Sequence, residues 1–254
     1  RLGGIADYFL VHDRDIYLRS DDSIVRHTAG AKRFLRRSRG FVPIPVFLPS
    51  KVPQILACGA ELKNTVCLTK HDKAFLSQHI GDLENVATYD FFKLTVDHLK
   101  RILDIQPEVI ACDLHPDYLS TRYADEQSTI ARVRVQHHHA HIVSCMAEHQ
   151  LEGDVIGLAF DGTGLGTDNA VWGGEILIAA THKFARVGHL AYVSMPGSTA
   201  AIKEPWRMAI SYLQDAYGPD FIDLEIPVLD SLDRDKSTVV SKMISKGINA
   251  PLTS

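Results

Sequence analysis

Four histidines lie within five positions of the stretch VQHHHAHIVSC at residues 135–145, in a chain of 254 residues with 13 histidines. The apolar pattern that follows them predicts a helix. Positions i and i+4 of a helix share one face, so we expect His137 and His141 to lie side by side, as two ligands of one metal ion must. We expect His138 and His139 to point elsewhere.

Two other interpretations of the HxxxH spacing compete with a metal centre. A zinc peptidase needs a glutamate directly after the first histidine as its general base, and this chain has His138 there, which disfavours a peptidase. Histidines at a helix end also commonly bond to carbonyl groups or solvent. The histidine pair alone leaves a metal centre and a structural helix end both open.

A second motif follows the apolar stretch at residues 154–160, which predicts a buried strand. Asp161 ends this strand, where open α/β sheets place ligand-binding groups, and Gly162 and Gly164 leave backbone N–H groups free to approach phosphate. The motif lacks the lysine of a Walker loop and opens no helix, unlike a dinucleotide fingerprint. Asp161 can also complete a metal site with two histidines, and the structural alternative is a glycine-rich hairpin.

An arginine cluster precedes a proline-rich stretch near the amino terminus. Its members are Arg33, Arg36, Arg37 and Arg39. Such a run is either a solvated strand face or a site where planar donors bind an anionic nucleotide. Farther along, CDLHPDY places Asp113 and His115 at the end of a predicted strand, where they line a site or form a turn with Pro116.

The elements that must position these residues alternate between strands and helices. PEVIACD predicts a strand ending at Asp113, STIARVRVQ predicts another, and HHHAHIVSCMAEHQ predicts a helix through residue 150. QILACGAELKNTVCLTK predicts two strands around a turn, FFKLTVDHLKRIL a helix at residues 91–103, and both EILIAA and LAYVSM further strands. EPWRMAISYLQDAYG predicts a helix with Pro205 in its first turn and Gly218 at its end. This alternation predicts an α/β fold.

Composition narrows the function classes. With 45% hydrophobic residues, 23% charged residues and a net charge of −4, the chain has no overall basic field that would favour nucleic acid. The four cysteines have scattered spacings and form no CxxC pair, which favours a reducing, cytoplasmic compartment. No apolar run approaches the roughly 20 residues of a membrane span.

The prolines at positions 43, 45, 49 and 53 predict a linker between two domains, residues 1–49 and residues 50–254. The chain begins without methionine and stops soon after a predicted helix. We therefore expect it to be part of a longer polypeptide.

Six motifs together resemble the hydrogenase-maturation carbamoyltransferases of the HypF family. In chain order they are GAELKNT, SQHIGDLEN, CDLHPDYLSTRYA, VQHHHAHIVSCMAEH, FDGTGLGTDNAVWGGE and AIKEPWRMA. The resemblance implies that residues 1–49 are the C-terminal part of a YrdC-like α/β domain that forms carbamoyl adenylate. It implies that residues 50–254 are the N-terminal part of an actin-like (ASKHA) ATPase-type carbamoyltransferase domain, which is incomplete in this chain.

The resemblance also implies an activity. Such enzymes use carbamoyl phosphate and ATP, with Mg²⁺, and pass the carbamoyl group to the C-terminal cysteine of a partner maturation protein. The thiocarbamate then becomes the cyanide ligand of nickel–iron hydrogenase. We expect a cytoplasmic enzyme without membrane or nucleic-acid partners, and we expect this part of it to be inactive alone.

Residue by residue, the resemblance implies three groups of site residues. The ligands of a divalent iron or zinc ion are His137, His141 and Asp161; the nucleotide-binding residues are Gly162, Gly164, Lys63 and Asn64; the carbamoyl-adenylate-binding residues are Arg36, Arg37 and Arg39. The metal would act as a Lewis acid and template, and the nucleophile would be the partner's thiol. A PGGD-type turn of the family is replaced here by Pro196, Gly197, Ser198 and Thr199.

Three alternatives remain beside this interpretation. Proteins that modify tRNA with threonylcarbamoyl share the HxxxH pattern, but they lack the FDGTGLGTDNAVWGGE form and the arginine-rich segment within residues 1–49. Antibiotic O-carbamoyltransferases share the chemistry and are disfavoured by the same segment. A catalytically inactive module that docks maturation proteins is the third.

Overall fold

The computed structural model describes residues 2–225 and 227–254 and has a mixed α/β fold. In chain order, the elements are β1 Ile24–Thr28, β2 Ala31–Arg36, β3 Val46–Val52, β4 Ile55–Ala57, β5 Cys67–Leu76, α1 Val86–Leu103, β6 Val109–Asp113, α2 Leu119–Glu126, β7 Ala131–Val135, α3 His137–Glu148, β8 Val155–Leu165, β9 Val171–Ala180, β10 Lys183–His189, β11 Val193–Ser194, α4 Thr199–Lys203, α5 Trp206–Tyr217, α6 Pro227–Asp230, α7 Arg234–Lys246 and β12 Leu252–Thr253. Short 3₁₀ turns lie at Leu2–Gly4 and Pro219–Asp223.

The first large sheet has the strand order β3-β5-β4-β6-β7, separate from the antiparallel β1-β2 hairpin. Strands β4, β6 and β7 run parallel, so their carboxyl ends meet at one edge. Asp113 ends β6 at this edge, and β7 ends at Val135, from which Gln136 leads directly into α3. The edge therefore brings Asp113 next to the histidine-rich helix.

Helix α1 covers this sheet and starts five residues before the predicted position of residue 91. Asn85 caps it by accepting a hydrogen bond from the backbone N–H of Thr88, at 2.9 Å. Phe92, Val96 and Leu99 recur at helical spacing and are buried against Leu56 and Ile110 of the sheet, among others. The first turn exposes Val86 and buries the polar Thr88, so apolar periodicity does not mark it and placed the start too late.

The second large sheet has the order β10-β9-β12-β11, with β8 also paired to β9. Helix α3 packs on β8 and β9 through a cluster that includes Ile142, Met146, Trp172 and Leu177. The approach is close at Gly157, where a Cβ atom would lie 2.2 Å from Ile142 Cδ1. This contact fixes α3, and hence its histidines, against β8.

The glycine-rich motif is part of a strand, which corrects the prediction that the strand ends at Asp161. β8 continues to Leu165, with a register shift between Phe160 and Gly164: four steps along β8 correspond to two along β9. The bulge includes Asp161 and Gly162, and bulges commonly re-aim side chains next to functional sites. Here it directs Asp161 toward α3.

Two other predictions of local structure were wrong. The proline-rich segment that we predicted as a linker contains β3, an edge strand that pairs with β5; its register is interrupted between Phe47 and Val52, around Pro49. Of LAYVSM, only Val193 and Ser194 form a strand, which pairs with β12.

Helices α5 and α7 form a small third cluster around Ile210, Phe221 and Val240. Helix α5 begins at Trp206, so Pro205 directly precedes the helix instead of lying in its first turn; as predicted, Gly218, whose φ is positive, marks its end. No helix in the part of the chain that the structure describes has both the length and the apolar character needed to cross a membrane.

Candidate metal centre

His137, His141 and Asp161 converge on one point between α3 and β8. Oδ2 of Asp161 lies 2.7 Å from Nε2 of His137 and 3.0 Å from Nε2 of His141, and the two imidazole nitrogens are 3.2 Å apart. The two histidines lie on one face of α3, as their spacing predicts. The three ligands that the resemblance implies are therefore brought together.

Burial differs between the three side chains. The His137 side chain is 14% exposed, that of Asp161 is 24% exposed, and that of His141 is 54% exposed. A cavity of about 330 Å³ adjoins the two histidines and Asp113. The cluster is thus anchored on the His137 side and open to a small molecule on the other.

Asp113 supports His137 from behind. Its Oδ2 lies 2.7 Å from Nδ1 of His137, and its Oδ1 accepts the backbone N–H of His115 at 2.9 Å. The Asp113 side chain is almost completely buried. Because Nδ1–H donates to this carboxylate, Nε2 of His137 is the ring nitrogen that faces Asp161, and it can bind a metal ion once its own proton is displaced, as in many carboxylate–histidine–metal arrangements.

These contacts shift the ionisation of the cluster. Burial alone would lower the pKa of His137, but its hydrogen bonds to Asp113 and Asp161 raise this pKa to about 9. Burial would raise the pKa of Asp161, but its close contacts with His137, His138 and His141 hold this pKa far below its ordinary value. Without a metal ion, His137 therefore keeps a second proton, between Asp113 and Asp161, up to moderately alkaline pH.

The donor set fits a divalent ion. Two imidazole nitrogens and a carboxylate oxygen suit both zinc and iron. All three atoms lie within 4.8 Å of one another. Zinc bond lengths in a tetrahedron would separate ligand atoms by about 3.3 Å, so the present contacts need to open only slightly. Three protein ligands leave a coordination position for a substrate.

His138 contradicts the prediction that it points away from the site. It is fully buried, and its Nε2 lies 2.6 Å from Oδ1 of Asp161. His139 does point elsewhere, since its Nε2 lies 2.7 Å from the carbonyl oxygen of Ala180. Helical spacing could not reveal the His138 contact, because the contact depends on how the bulge of β8 crosses the first turn of α3.

The two glycines of the motif have different surroundings. Gly162 has a φ of +96°, and nothing lies within 4 Å of the position a Cβ atom would take. At Gly164, a Cβ atom would lie 2.7 Å from Cε1 of His138 and 2.8 Å from Cβ of His137. The exposed backbone at Gly162 can accept a ligand, whereas buried Gly164 gives the histidines room.

Lys63 and Asn64 lie in a turn that Asn64 holds together. The buried Asn64 amide donates to the carbonyl oxygens of Cys58 and Ala60, at 2.9 and 2.6 Å. Lys63 has a positive φ and lines a second cavity, of about 840 Å³. Lys63 therefore lines a cavity that could hold a ligand, while the amide nitrogen of Asn64 stabilises the turn.

Two of the three arginines assigned to adenylate binding line that second cavity. They are Arg36, whose Nη1 lies 3.1 Å from Asp21, and Arg37, whose buried Nε has no hydrogen-bond partner among the described residues. Arg39 is not among the described residues that line this cavity, and its guanidinium pairs with Asp22. The two cavities share wall residues, including Thr65, Ala140 and Ser144. The arginines and the histidine cluster therefore face adjoining spaces.

The fold and the site together define an α/β domain of the Kae1-like, actin-like class. Two family models match: "HypF Kae1-like domain" over residues 50–148 and "Carbamoyltransferase, Kae1-like Domain, second subdomain" over residues 157–254. The chain belongs to the HypF family of carbamoyltransferases.

Curated relatives agree with this assignment. The chain is 45% identical to carbamoyltransferase HypF2 of Cupriavidus necator, over 100% of this chain and 32% of the relative. It is 49% identical to carbamoyltransferase HypF of Rhizobium leguminosarum bv. viciae, over 85% of this chain and 28% of the relative. The chain thus spans about a third of the length of the curated relatives it matches.

Solved structures show the same fold. A full-length HypF, crystallised in a phosphate- and nucleotide-bound form, matches 100% of this chain and 40% of its own, with a TM-score of 0.90 and 42% identity. HypF of T. kodakarensis matches 93% of this chain and 32% of its own, with a TM-score of 0.84 and 37% identity.

Proposed function

We propose that this chain carries the carbamoyl-transfer site of a nickel–iron hydrogenase maturation enzyme, together with part of its adenylate-forming site. The complete enzyme would use carbamoyl phosphate and ATP with Mg²⁺, form carbamoyl adenylate, and transfer the carbamoyl group to the C-terminal cysteine of a partner maturation protein. The observation that carries the proposal is the convergence of His137, His141 and Asp161 in a chain of the HypF family.

The domain assignment belongs to the same proposal. Residues 1–49 would end a YrdC-like domain, and residues 50–254 would begin the actin-like carbamoyltransferase domain. The separate β1-β2 hairpin, which carries Arg36, supports such a division. β3 at Val46–Val52 crosses the boundary, so the hairpin is tied to the larger sheet by a strand of that sheet.

In the transfer site, His137, His141 and Asp161 would hold a divalent iron or zinc ion. When bound, such an ion withdraws charge from a carbonyl or phosphate oxygen. Asp113 keeps the Nε2 lone pair of His137 directed into the site. The exposed position of His141 leaves the adjoining cavity of about 330 Å³ open to carbamoyl adenylate.

Nucleotide binding is proposed for both cavities. The nucleotide-bound HypF structure supports it, because its fold is shared over 100% of this chain. The exposed backbone of Gly162 lies next to Asp161, where it can approach a phosphate. Arg36, Arg37 and Lys63 give the larger cavity three cationic groups for an adenylate or its precursor.

The attacking sulfur would come from the partner protein. Burial raises the pKa of Cys58 and Cys67 to about 12, so these thiols remain protonated. In the transfer step, the partner's thiolate forms a C–S bond to the carbamoyl carbon, the bond from that carbon to the phosphate oxygen breaks, and AMP leaves. All four cysteines of the chain are free, which supports a reducing, cytoplasmic location.

The test compares metal content and ATP-dependent carbamoyl transfer in the full polypeptide that contains this chain. His137→Ala and Asp161→Asn are expected to lose both metal and transfer, because each removes a ligand. His149→Ala, at the exposed end of the same helix, is the matched control and should retain both. Transfer at the normal rate by either ligand variant would contradict the proposed site.

A further inference from the structure

We propose that His138 is a positioning residue that aims Asp161 at the metal, and that Gln136 sets the tautomer in which His138 can do so. The inference rests on the metal site proposed above and adds two residues behind its carboxylate ligand. His138 is fully buried and faces Asp161 rather than solvent. Its role is to fix which oxygen of the carboxylate remains available.

The orientation of the Gln136 amide is determined by its contacts. Its Oε1 accepts the backbone N–H of His139 at 2.9 Å, which caps α3. Its Nε2 donates to the carbonyl oxygen of Leu165 at 3.2 Å and lies 3.2 Å from Nδ1 of His138. Turning the amide over would break both the cap and the bond to Leu165, so the NH₂ group must face His138.

This orientation fixes the tautomer of His138. An amide NH₂ group can only donate, so Nδ1 of His138 accepts, and the proton of the neutral ring lies on Nε2. That Nε2 lies 2.6 Å from Oδ1 of Asp161 and has no aligned hydrogen bond among the described residues. A buried N–H needs an acceptor, and the carboxylate oxygen is the acceptor within reach.

As a consequence, the two carboxylate oxygens of Asp161 face different partners. Oδ1 lies 2.6 Å from Nε2 of His138, and Oδ2 faces His137 and His141, at 2.7 and 3.0 Å. The ring of His138 also packs closely against Gly164 of the same strand, where a Cβ atom would lie 2.7 Å from Cε1 of His138. Asp161 therefore presents one oxygen to the ion in a fixed direction.

The same contacts argue against His138 as a fourth ligand. A ligand nitrogen needs a free lone pair, so Nε2 would lose its proton and Nδ1 would carry one. Nδ1–H and the NH₂ group of Gln136 would then be two donors facing each other at 3.2 Å. The position of Gln136 thus favours an orienting role for His138.

The experiment measures Zn²⁺ affinity by chelator competition and the visible spectrum of the Co²⁺ form, in the full polypeptide that contains this chain. His138→Leu removes the donor and should lower Zn²⁺ affinity about 10- to 100-fold, as losses of such supporting residues do, and it should change the Co²⁺ spectrum. His138→Gln restores an N–H donor and should stay within a few fold of the natural protein. His139→Gln, which also changes a buried histidine of the same helix, is the control and should leave affinity unchanged.

Gln136→Glu is the decisive variant because it keeps the helix cap and removes the NH₂ group that faces both Nδ1 of His138 and the carbonyl oxygen of Leu165. It should move the proton of His138 to Nδ1 and weaken Zn²⁺ binding as much as His138→Leu does. Natural affinity and an unchanged Co²⁺ spectrum in Gln136→Glu would overturn the inference, even if His138→Leu does not fold. Absence of metal from the natural protein would overturn the proposed site as well.

Discussion

Gly162 and Gly164 lie two residues apart in β8 and are needed for different reasons. Gly162 adopts a left-handed conformation that L side chains rarely take, but it has open space around it. Gly164 has no positive φ, and its missing side chain makes room for His137 and His138. At the residue scale, Gly162 is therefore needed for its backbone conformation, and Gly164 is needed because its missing side chain leaves room for the imidazole rings.

Alanine at each of these two positions should separate the two roles. Gly164→Ala should push on both imidazoles, lower the free energy of unfolding by about 1–3 kcal/mol, and weaken Zn²⁺ binding about tenfold or more. Gly162→Ala should cost about 1 kcal/mol for its backbone conformation and leave Zn²⁺ affinity nearly unchanged. Denaturant titration of the metal-free protein and chelator competition measure the two effects. Equal losses of Zn²⁺ affinity in both variants would contradict this assignment.

The raised pKa of His137 predicts how metal affinity depends on pH. Below its pKa of about 9, His137 of the metal-free protein is protonated, and an incoming ion must displace that proton. The Zn²⁺ association constant should therefore rise about tenfold per pH unit up to pH about 9 and then level off. Competition titrations from pH 6 to pH 10 measure this slope. In Asp113→Asn, which removes one cause of the raised pKa, the levelling should begin at lower pH; levelling near 6.5 in the natural protein would contradict the proposed proton.

Helical geometry explains which of the ligands could be predicted. The pair His137 and His141 follows from the i, i+4 rule, because it depends on a single helix. The contact of His138 with Asp161 and that of His137 with Asp113 each join elements far apart in sequence. For Asp113, the only sequence signal was its position at the end of a strand, which left a structural turn equally open.

At the element scale, pairing with a neighbouring strand determines whether a segment forms a strand where its local sequence also allows a loop or a linker. The glycines of DGTG indicate a loop, but β9 offers hydrogen-bonding groups across most of this segment, and the strand continues through a bulge. The prolines before residue 54 indicate a linker, but an edge strand tolerates proline because only one side of it must pair. In contrast, β6, β7 and α5 carry strong local signals and lie close to where the sequence predicts them.

Ser198 stores backbone strain in the turn before α4. Its φ of 49° and ψ of −112° lie in a region that favours glycine, and the HypF-family resemblance implies a glycine in this turn. The neighbouring Gly197 also has a positive φ, of 92°. The Ser198 hydroxyl donates to the side-chain oxygen of Asn249 at 3.1 Å, which offsets part of this strain.

Ser198→Gly should therefore stabilise the protein, by about 1 kcal/mol, because relief of the strain exceeds the loss of one exposed hydrogen bond. Ser198→Ala is the matched control: it loses the hydrogen bond and keeps the strain, so its stability should fall slightly. Thermal unfolding of the two variants beside the natural protein measures both effects. A glycine variant less stable than the alanine variant would show that the turn is not strained.

At the scale of the whole molecule, the two cavities separate two kinds of chemistry. Arginine and lysine side chains face the larger one, and the histidine–aspartate cluster adjoins the smaller one. Thr65, Ala140 and Ser144 contribute to both walls, so the spaces are neighbours. Under the proposed function, adenylate formation depends on the arginines and carbamoyl transfer depends on the metal ligands.

The two half-reactions should therefore be separable by substitution. Arg37→Ala removes a guanidinium whose buried Nε has no partner among the described residues, so pyrophosphate release that requires carbamoyl phosphate and ATP should fall about 100-fold, while metal content stays normal. His141→Ala should lose metal and carbamoyl transfer, yet release pyrophosphate within a few fold of the natural rate, because His141 does not line the larger cavity. Arg33→Ala, an exposed member of the same cluster, should change neither reaction.

Pyrophosphate assays and assays of carbamoyl transfer to the partner protein, in the full polypeptide that contains this chain, distinguish the two reactions. If His141→Ala abolishes pyrophosphate release, the metal is also needed for adenylate formation. The proposal that the two cavities carry out separate reactions would then be wrong.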